Sequence, residues 1–181
     1  GKSVAIQSDG KILVSGTTSN GINDDFALAR YNNDGTLDNA FDIDGKVITD
    51  LGSNHDWNFS VAIQADGKIL LSGESNNGLD EDFALVRYNS NGSLDATFDT
   101  DGIVTTPIGS SNDWGSSLNI QTDGKILLGG HSFNGTDFDF ALIRYNNNGS
   151  LDNTLDGEGK VTTAIGSSNN ISSKVAIQSD G

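Results

Sequence analysis

The sequence contains no cysteine, which excludes disulfide frameworks, thiolate metal sites and cysteine nucleophiles together. This absence leaves the compartment open, because many secreted proteins also lack cysteine. Proline occurs once in 181 residues, whereas glycine occurs 23 times and no long helical pattern is present. We therefore expect a chain with many tight turns.

Positive charge is also scarce. Ten lysines and arginines face 25 acidic residues, which gives a formal net charge of −15. Phosphate backbones are bound by clustered basic side chains, so the composition argues against nucleic acids and anionic membranes as partners. No apolar run approaches the roughly 20 residues that span a bilayer, and the first residues lack the layout of a signal peptide. We expect no membrane insertion and a neutral or cationic partner.

The chain has an internal repeat of 57 residues. "VAIQSDG" begins at Val4 and again at Val175, and close variants begin at Val61 and Leu118. The first two copies agree at 34 of 57 positions, which is typical of a modular array. We divide the chain into repeat 1 (4–60), repeat 2 (61–117), repeat 3 (118–174) and the start of a fourth repeat (175–181).

Each copy contains the pattern of four short β-strands, A to D. "SVAIQ" and "KILVSGTT" flank Asp9-Gly10, and an Asp-Gly turn between two β-prone runs is a strong hairpin signal. "DDFALARYN" and "KVITDLG" supply strands C and D. The runs are nearly continuously apolar, as expected where both faces of a small sheet are covered. We predict an all-β array of tandem four-stranded antiparallel blades of the β-propeller type, which fits better than a β-solenoid with its shorter coils.

Three segments with counterparts in every copy, "IQSDGKILVSG", "DFALARYN" and "FDIDGKV", resemble the delta-60 repeat of bacterial proteins. That family is a β-propeller-type domain of unknown function, and the likeness covers the whole chain. The resemblance implies a secreted or cell-surface bacterial protein with many such repeats, and it supplies no catalytic residues. Closed propellers use about four to eight blades, so we expect a part of a longer array whose terminal blades are covered by further copies.

The three arginines of the chain recur at one position of strand C, on the same side as Phe26 and Leu28. A half-buried arginine needs a partner, and its planar fork suits a carboxylate. The candidate partners are Asp25, Asp38 and Asp42 with their copies. We predict one structural ion pair per blade rather than an anion site. The residues assigned to this role are Arg30, Arg87, Arg144, Asp38, Asp95 and Asp152.

The acidic turn between strands C and D, "NNDGTLDNAFDIDG", matches part of a calcium loop. Asp34 and Asp38 fit that pattern, but Arg30 stands where the first ligand belongs. A second frame with Asp42 and Asp44 starts from an alanine, and calcium takes six to eight oxygens. We expect these side chains to cap turns by accepting hydrogen bonds from backbone amides, and no cofactor, with calcium at these four aspartates as the open alternative.

Catalytic chemistry finds little support in the sequence. His55 and His131 occupy different positions of their copies, and no serine, histidine and aspartate set can be singled out. No glycine-rich phosphate loop follows a strand and opens a helix. We expect that the protein is not an enzyme, although an active site at the top of a propeller is a third class of function to weigh.

The copies diverge on one face of the predicted array. The A–B and C–D connections are nearly repeated, whereas the B–C connections ("TTSNGINDD", "ESNNGLDED", "HSFNGTDFD") and the D–A connections differ. Loops on a rigid scaffold often carry recognition, although unconstrained loops also drift. We predict a non-catalytic binding or adhesion module whose ligand face is formed by the B–C and D–A loops. The alternative is a structural spacer or filament component without a ligand.

Two tryptophans, Trp57 and Trp114, are predicted to lie in the D–A connections, where the third copy has Ile171. Aromatic faces stack on sugars or protein partners, so we expect partial exposure; the alternative is packing over the blade tops. Replacing both by alanine is predicted to abolish adhesion to a carbohydrate or surface protein. The candidate ligand-binding residues are Trp57, Trp114, Asp56, Asp113, Asn58 and Asn112.

Overall fold

The computed structural model describes residues 1–52 and 54–178, which fold into three four-stranded antiparallel sheets. Each sheet is a meander, so strands that follow one another in the chain also lie side by side. The strands are β1 (Ser3–Ile6), β2 (Ile12–Ser19), β3 (Asp24–Tyr31), β4 (Lys46–Thr49), β5 (Asp56–Ile63), β6 (Ile69–Asn76), β7 (Glu81–Tyr88), β8 (Ile103–Thr106), β9 (Asp113–Ile120), β10 (Ile126–Phe133), β11 (Phe138–Tyr145) and β12 (Lys160–Thr163). None of the described residues forms a helix long and apolar enough to cross a membrane. The predicted all-β array of four-stranded blades is confirmed.

The Asp-Gly turn closes the first hairpin between β1 and β2. The amide of Gly10 donates to the carbonyl of Gln7 at 2.9 Å, and the amide of Gln7 donates to the carbonyl of Lys11 at 2.8 Å. Gly10 has a φ of 84°, a left-handed conformation that glycine adopts without a Cβ penalty. Asp9 Oδ1 accepts from the Lys11 amide at 3.1 Å. The dipeptide therefore ends strand A and reverses the chain.

The sheets pack face to face and enclose two hydrophobic cores, one at each junction between blades. The middle blade serves both: Ile69 and Leu71 of β6 face the first core, and Leu70 faces the second. In β7, Ala84 belongs to the first core and Phe83 to the second. Each fully buried large apolar side chain contributes about 1.5–3 kcal/mol. Two-sided burial is the reason why these strands read as continuous apolar runs.

Strand A of the second and third blades is longer than the sequence predicts. In β5, Asn58 pairs with Gly73 and Ser60 pairs with Ser72, so Phe59 is the extra residue of a β-bulge. A Cβ on Gly73 would lie 1.9 Å from the carbonyl oxygen of Trp57, so only glycine fits there. Placing Trp57 and Trp114 in the D–A connections was therefore wrong. The bulge lets the pairing continue, and the two residues lie within β5 and β9.

The sheets span residues 3–49, 56–106 and 113–163. The repeat boundaries drawn after residues 60 and 117 consequently fall inside strands β5 and β9, because a period sets the spacing of the repeats but not their starting point. Of the fourth repeat, residues 179–181 lie outside the described part. Val175 lies beside β9 in space, and its amide donates to Ser117 Oγ of that strand at 2.7 Å.

Candidate functional site

Each arginine of strand C forms the ion pair that the sequence predicts. Arg30 Nε lies 2.8 Å from Asp38 Oδ2, and the guanidinium stands 4.3 Å from the ring centre of Phe41. Lys11 Nζ reaches the same carboxylate oxygen at 2.7 Å. The hydrogen bond from Lys11 lowers the pKa of Asp38, so this carboxyl stays charged. The equivalent distances are 2.7 Å for Arg87–Asp95 and 2.6 Å for Arg144–Asp152.

Two of the arginines also link neighbouring blades. Arg30 Nη1 donates to the carbonyl of Ser90 at 2.6 Å, and Arg87 Nη1 donates to the carbonyl of Asn147. Both acceptors lie in the C–D turn of the following blade. In these two blades the guanidinium is therefore bound both to the aspartate of its own blade and to the backbone of the next blade.

The acidic C–D turn uses its side chains as caps. Asp34 Oδ1 accepts from the amide of Thr36 at 3.0 Å and from its hydroxyl at 2.6 Å. Asp44 Oδ1 accepts from the Lys46 amide at 3.1 Å. In the described part of the chain, Asp34, Asp38, Asp42 and Asp44 do not meet at metal-binding distance. These contacts match the turn-capping interpretation of the motif.

Three of the predicted ligand residues are buried and contribute to the fold. Asp56 and Asn58 are 1% and 0% exposed, and Asp113 is 0% exposed. Asp56 Oδ2 accepts from the Leu51 amide at 2.8 Å, and Asn58 Nδ2 donates to the Ser72 carbonyl at 3.0 Å. These three side chains face inward, because alternate residues of an extended strand point to opposite faces, so they do not lie at the surface where a glycan or a protein partner would contact them.

Trp57 lies between these two buried residues and is half-buried. Its Nε1 donates to Asp24 Oδ2 at 3.2 Å, across the junction of the first and second blades. Its ring stacks on His55 at 5.4 Å between ring centres. The indole is thus held in place by the preceding blade, and only part of its face remains accessible.

Trp114, also half-buried, belongs to an aromatic cluster at the loop end of the third blade. Its ring centre lies 4.8 Å from that of Phe138 and 5.1 Å from that of His131. Phe133 lies opposite Phe138 in the β10–β11 hairpin, with ring centres 5.2 Å apart. The cluster was not predicted from the sequence, although "HSFNGTDFD" carries two phenylalanines where the other copies are polar.

The two phenylalanines replace a polar pair of the preceding blade. At the same positions of the second repeat, Asn76 Nδ2 donates to Glu81 Oε1 at 3.1 Å. Both pairs lie at the last cross-strand position of the B–C hairpin, next to its loop. The scaffold therefore accepts either a polar or an aromatic pair, and the aromatic pair is a feature of the third blade.

A cleft of about 620 Å³ opens beside the aromatic pair. It is formed by the B–C loops of the second and third blades and by the D–A connection between them. Leu79, at the tip of the first of these loops, is 94% exposed. Ligand pockets typically enclose about 300–1,000 Å³, so this cleft has the size of a small ligand site. The lining residues are Leu79, Asp80, Ser110, Ser111, Asn112, Phe133 and Phe138.

A second recess on the same face holds two ionisable groups, Glu74 and His131, next to Trp114. Burial raises the pKa of Glu74 to about 8, and the charge of Glu81 adds to this. Burial lowers the pKa of His131. Both side chains are therefore mainly uncharged at neutral pH, and the recess is apolar in character.

Three segments of the chain match a family model described as "Domain of unknown function (DUF5122) beta-propeller". The matched residues are 7–41, 64–98 and 121–155, which are spaced by the repeat length and together make up more than half of the chain. Each match runs from the A–B turn of one blade to its C–D turn. No curated protein matches the chain.

Proposed function

The chain belongs to the beta-propeller domain family of unknown function DUF5122, and we propose that it is a non-catalytic binding module that holds a neutral glycan in the cleft between its second and third blades. The observation that carries the proposal is the half-buried pair Phe133 and Phe138 facing the exposed Leu79 across that cleft. Stacked sheets hold the loops that line it on a rigid scaffold.

The chemistry of the cleft suits a sugar ring. Aromatic faces pack against the apolar face of a pyranose, and Phe138 is held in position by its stacking on Trp114. Asn112 and Asp80 supply amide and carboxylate groups at the rim for the hydroxyls of the ligand. The net charge of −15 disfavours polyanionic glycans. We place the module outside the bacterial cell, in the secreted or cell-surface setting that the resemblance to the delta-60 repeat implies, where it serves adhesion.

A structural spacer is the second candidate function. It is favoured by contacts that recur between blades, such as Arg30 with the Ser90 carbonyl and Arg87 with the Asn147 carbonyl. Such contacts allow blades to be added in series without any ligand. The two candidates differ in the role of the aromatic pair, which a spacer does not need.

The test is a double substitution, Phe133→Asn with Phe138→Glu, which installs the polar pair of the second blade. The fold should tolerate it, because Asn76 and Glu81 occupy the same positions one repeat earlier. Binding of the intact chain and of the variant to an array of neutral oligosaccharides is measured, followed by titration of the best ligand. Loss of an aromatic hot spot costs about 2 kcal/mol or more, so we expect roughly thirtyfold weaker binding.

A matched control is Ile22→Thr, which changes the equivalent exposed loop tip of the first blade and should leave affinity unchanged. Equal binding by the double variant and the intact chain would place the ligand outside the cleft. If the intact chain binds none of the oligosaccharides, the glycan proposal is wrong, and the spacer becomes the better account.

A further inference from the structure

Three aspartates from separate segments meet at the junction of the first and second blades. Asp25 lies in β3, Asp50 directly follows β4, and Asp56 begins β5. One carboxylate oxygen from each lies within 4.8 Å of those of the other two. The fold thus brings Asp25 close to Asp50 and Asp56, which lie 25 and 31 residues later in the chain.

Two of these side chains are buried, and each has one carboxylate oxygen without a hydrogen-bond partner among the described residues. Asp56 is 1% exposed and Asp25 is 4% exposed. Their Oδ2 atoms accept hydrogen bonds from the Leu51 amide at 2.8 Å and from Asn20 Nδ2 at 3.3 Å. The Oδ1 atom of each is buried and has no hydrogen-bond partner among the residues that the structure describes. A buried carboxylate is costly unless a partner balances its charge.

Basic side chains do not supply that balance. In the described part of the chain, the lysine, arginine and histidine ion pairs involve other carboxylates, and Asp25, Asp50 and Asp56 take part in none of them. Burial raises the pKa of Asp56; hydrogen bonds from the Ser75 side chain and the Leu51 amide oppose this, and the negative charges of Asp50 and Asp25 raise it further. The three carboxylates therefore repel one another, and two of them, Asp25 and Asp56, lie where water is largely excluded.

The other blades show how the same junction is built without the third carboxylate. The equivalent residues are Asp82, Pro107 and Asp113 in the second repeat, and Asp139, Ala164 and Asn170 in the third. The acidic group at the position of Asp50 occurs in the first repeat alone. It is exposed, so the scaffold does not need it for packing.

We propose that Asp25, Asp50 and Asp56 bind a calcium ion at this junction. Oxygen-only ligands select a hard cation. Calcium–oxygen distances are about 2.3–2.6 Å, so two ligands on opposite sides of the ion stand about 4.6–5.2 Å apart. Oxygens within 4.8 Å of one another fit one such coordination sphere. Magnesium, at about 2.0–2.1 Å, would need a tighter cluster.

The ion ties the first blade to the second. Its ligands come from strand C of one blade, from the connection that leaves that blade, and from strand A of the next. Calcium therefore neutralises the buried carboxylates and holds the junction closed. The site lies at a different junction from the glycan cleft, so either proposal can fail without the other.

The first experiment is a calorimetric titration of the intact chain with calcium. We expect one equivalent to bind with a Kd of about 10⁻⁴–10⁻³ M, the range of extracellular calcium modules. Asp50→Ala, which installs the residue of the third repeat, should weaken binding at least tenfold, a loss of roughly 1.4 kcal/mol. The matched control is Asp42→Asn in the acidic C–D turn, which should bind as the parent does. An absence of binding up to about 10 mM, ten times the upper Kd, would overturn the proposal, as would unchanged affinity of Asp50→Ala.

A second experiment locates the ion by terbium luminescence. Trp57 is the neighbour of Asp56 in β5, so excitation of its indole should sensitise terbium bound at the site. Trp57→Phe should abolish this emission, Trp114→Phe should leave it, and excess calcium should quench it in the parent. Emission that survives in Trp57→Phe and vanishes in Trp114→Phe would place the ion at the second junction and overturn the assignment. Far-UV circular dichroism checks that each variant is folded.

Discussion

The hydroxyl oxygens of Tyr88 and Thr49 lie 2.6 Å apart inside the core between the first and second blades. Tyr145 repeats this contact at the next junction, where its hydroxyl donates to Thr106 Oγ1 at 2.7 Å. Both tyrosines are fully buried, and burial raises their pKa above the ordinary value. Each blade thus supplies the hydrogen-bond partner that lets the next blade bury a phenol in an apolar core.

Tyr88→Phe should destabilise the protein, because it leaves the buried Thr49 hydroxyl without its partner. An unsatisfied buried group costs about 1–3 kcal/mol, and we expect a loss of this size in urea unfolding. Tyr145→Phe should cost a similar amount. Tyr31, which is half-buried, provides the matched control, since its replacement by phenylalanine should change stability by less than about 0.5 kcal/mol. Equal effects at Tyr31 and Tyr88 would contradict this role of the junction.

Gly73→Ala should be strongly destabilising. The added Cβ would meet the Trp57 carbonyl oxygen at 1.9 Å, and backbone on both strands must move to relieve the clash. We expect a loss of more than about 2 kcal/mol in the free energy of unfolding. Gly109→Ala is the control, because nothing lies within 4 Å of a Cβ at that position. A small effect at Gly73 would mean that the bulge in β5 can shift to another residue.

Asp95 should make the protein sensitive to acid. Burial opposes ionisation, but hydrogen bonds from Lys68 and Thr97 outweigh it and hold the pKa of Asp95 below its usual range. Its stabilising contribution is therefore complete above the unfolded pKa of 3.8 and is lost as the pH falls below it. We expect Asp95→Asn to be less stable than the parent at neutral pH and the difference to shrink towards pH 2, as measured by urea unfolding. A difference that stays constant with pH would argue against the ion pair.

Glu74 should make the protein less stable as the pH rises, whereas Asp95 makes it less stable as the pH falls. Because its pKa rises to about 8 in the folded state, the folded protein binds this proton more tightly than the unfolded chain, whose value is 4.5. The contribution of this bound proton to the free energy of unfolding is complete below pH 4.5 and is lost as the pH rises towards 8. Relative to Glu74→Gln, the parent should lose at most about 1.4 kcal/mol per pH unit in this interval. His131, also in the recess, titrates in both proteins and cancels in the comparison. Parallel pH profiles would show that Glu74 titrates normally.

Much of the architecture follows from patterns that are local in the chain. Asp9 with Gly10 marks the hairpin turn, because few residues adopt the left-handed conformation that the turn requires. The position of Arg30 in strand C indicates an ion pair, since buried arginine needs a carboxylate, and Asp38 is one of three recurring aspartates that the sequence offers as its partner. Strand A was predicted less well. Its bulge at Phe59 depends on how closely Gly73 approaches from the neighbouring strand, and no local pattern marks that contact.

The sequence by itself determined the repeat, the four-stranded blade and the all-β class, because turn residues and apolar runs act over a few positions and recur every 57 residues. The tertiary structure decided which side chains of neighbouring blades meet. Asp25, Asp50 and Asp56 converge, and Phe138 stacks on Trp114, because the D–A connection carries the chain from the edge of one sheet to strand A of the next. The extension of β5 to Asp56 likewise turned Asp56 and Asn58 inward, since alternate residues of a strand face the same side. Contacts of this kind depend on the register and packing of sheets distant in sequence, which periodicity does not encode.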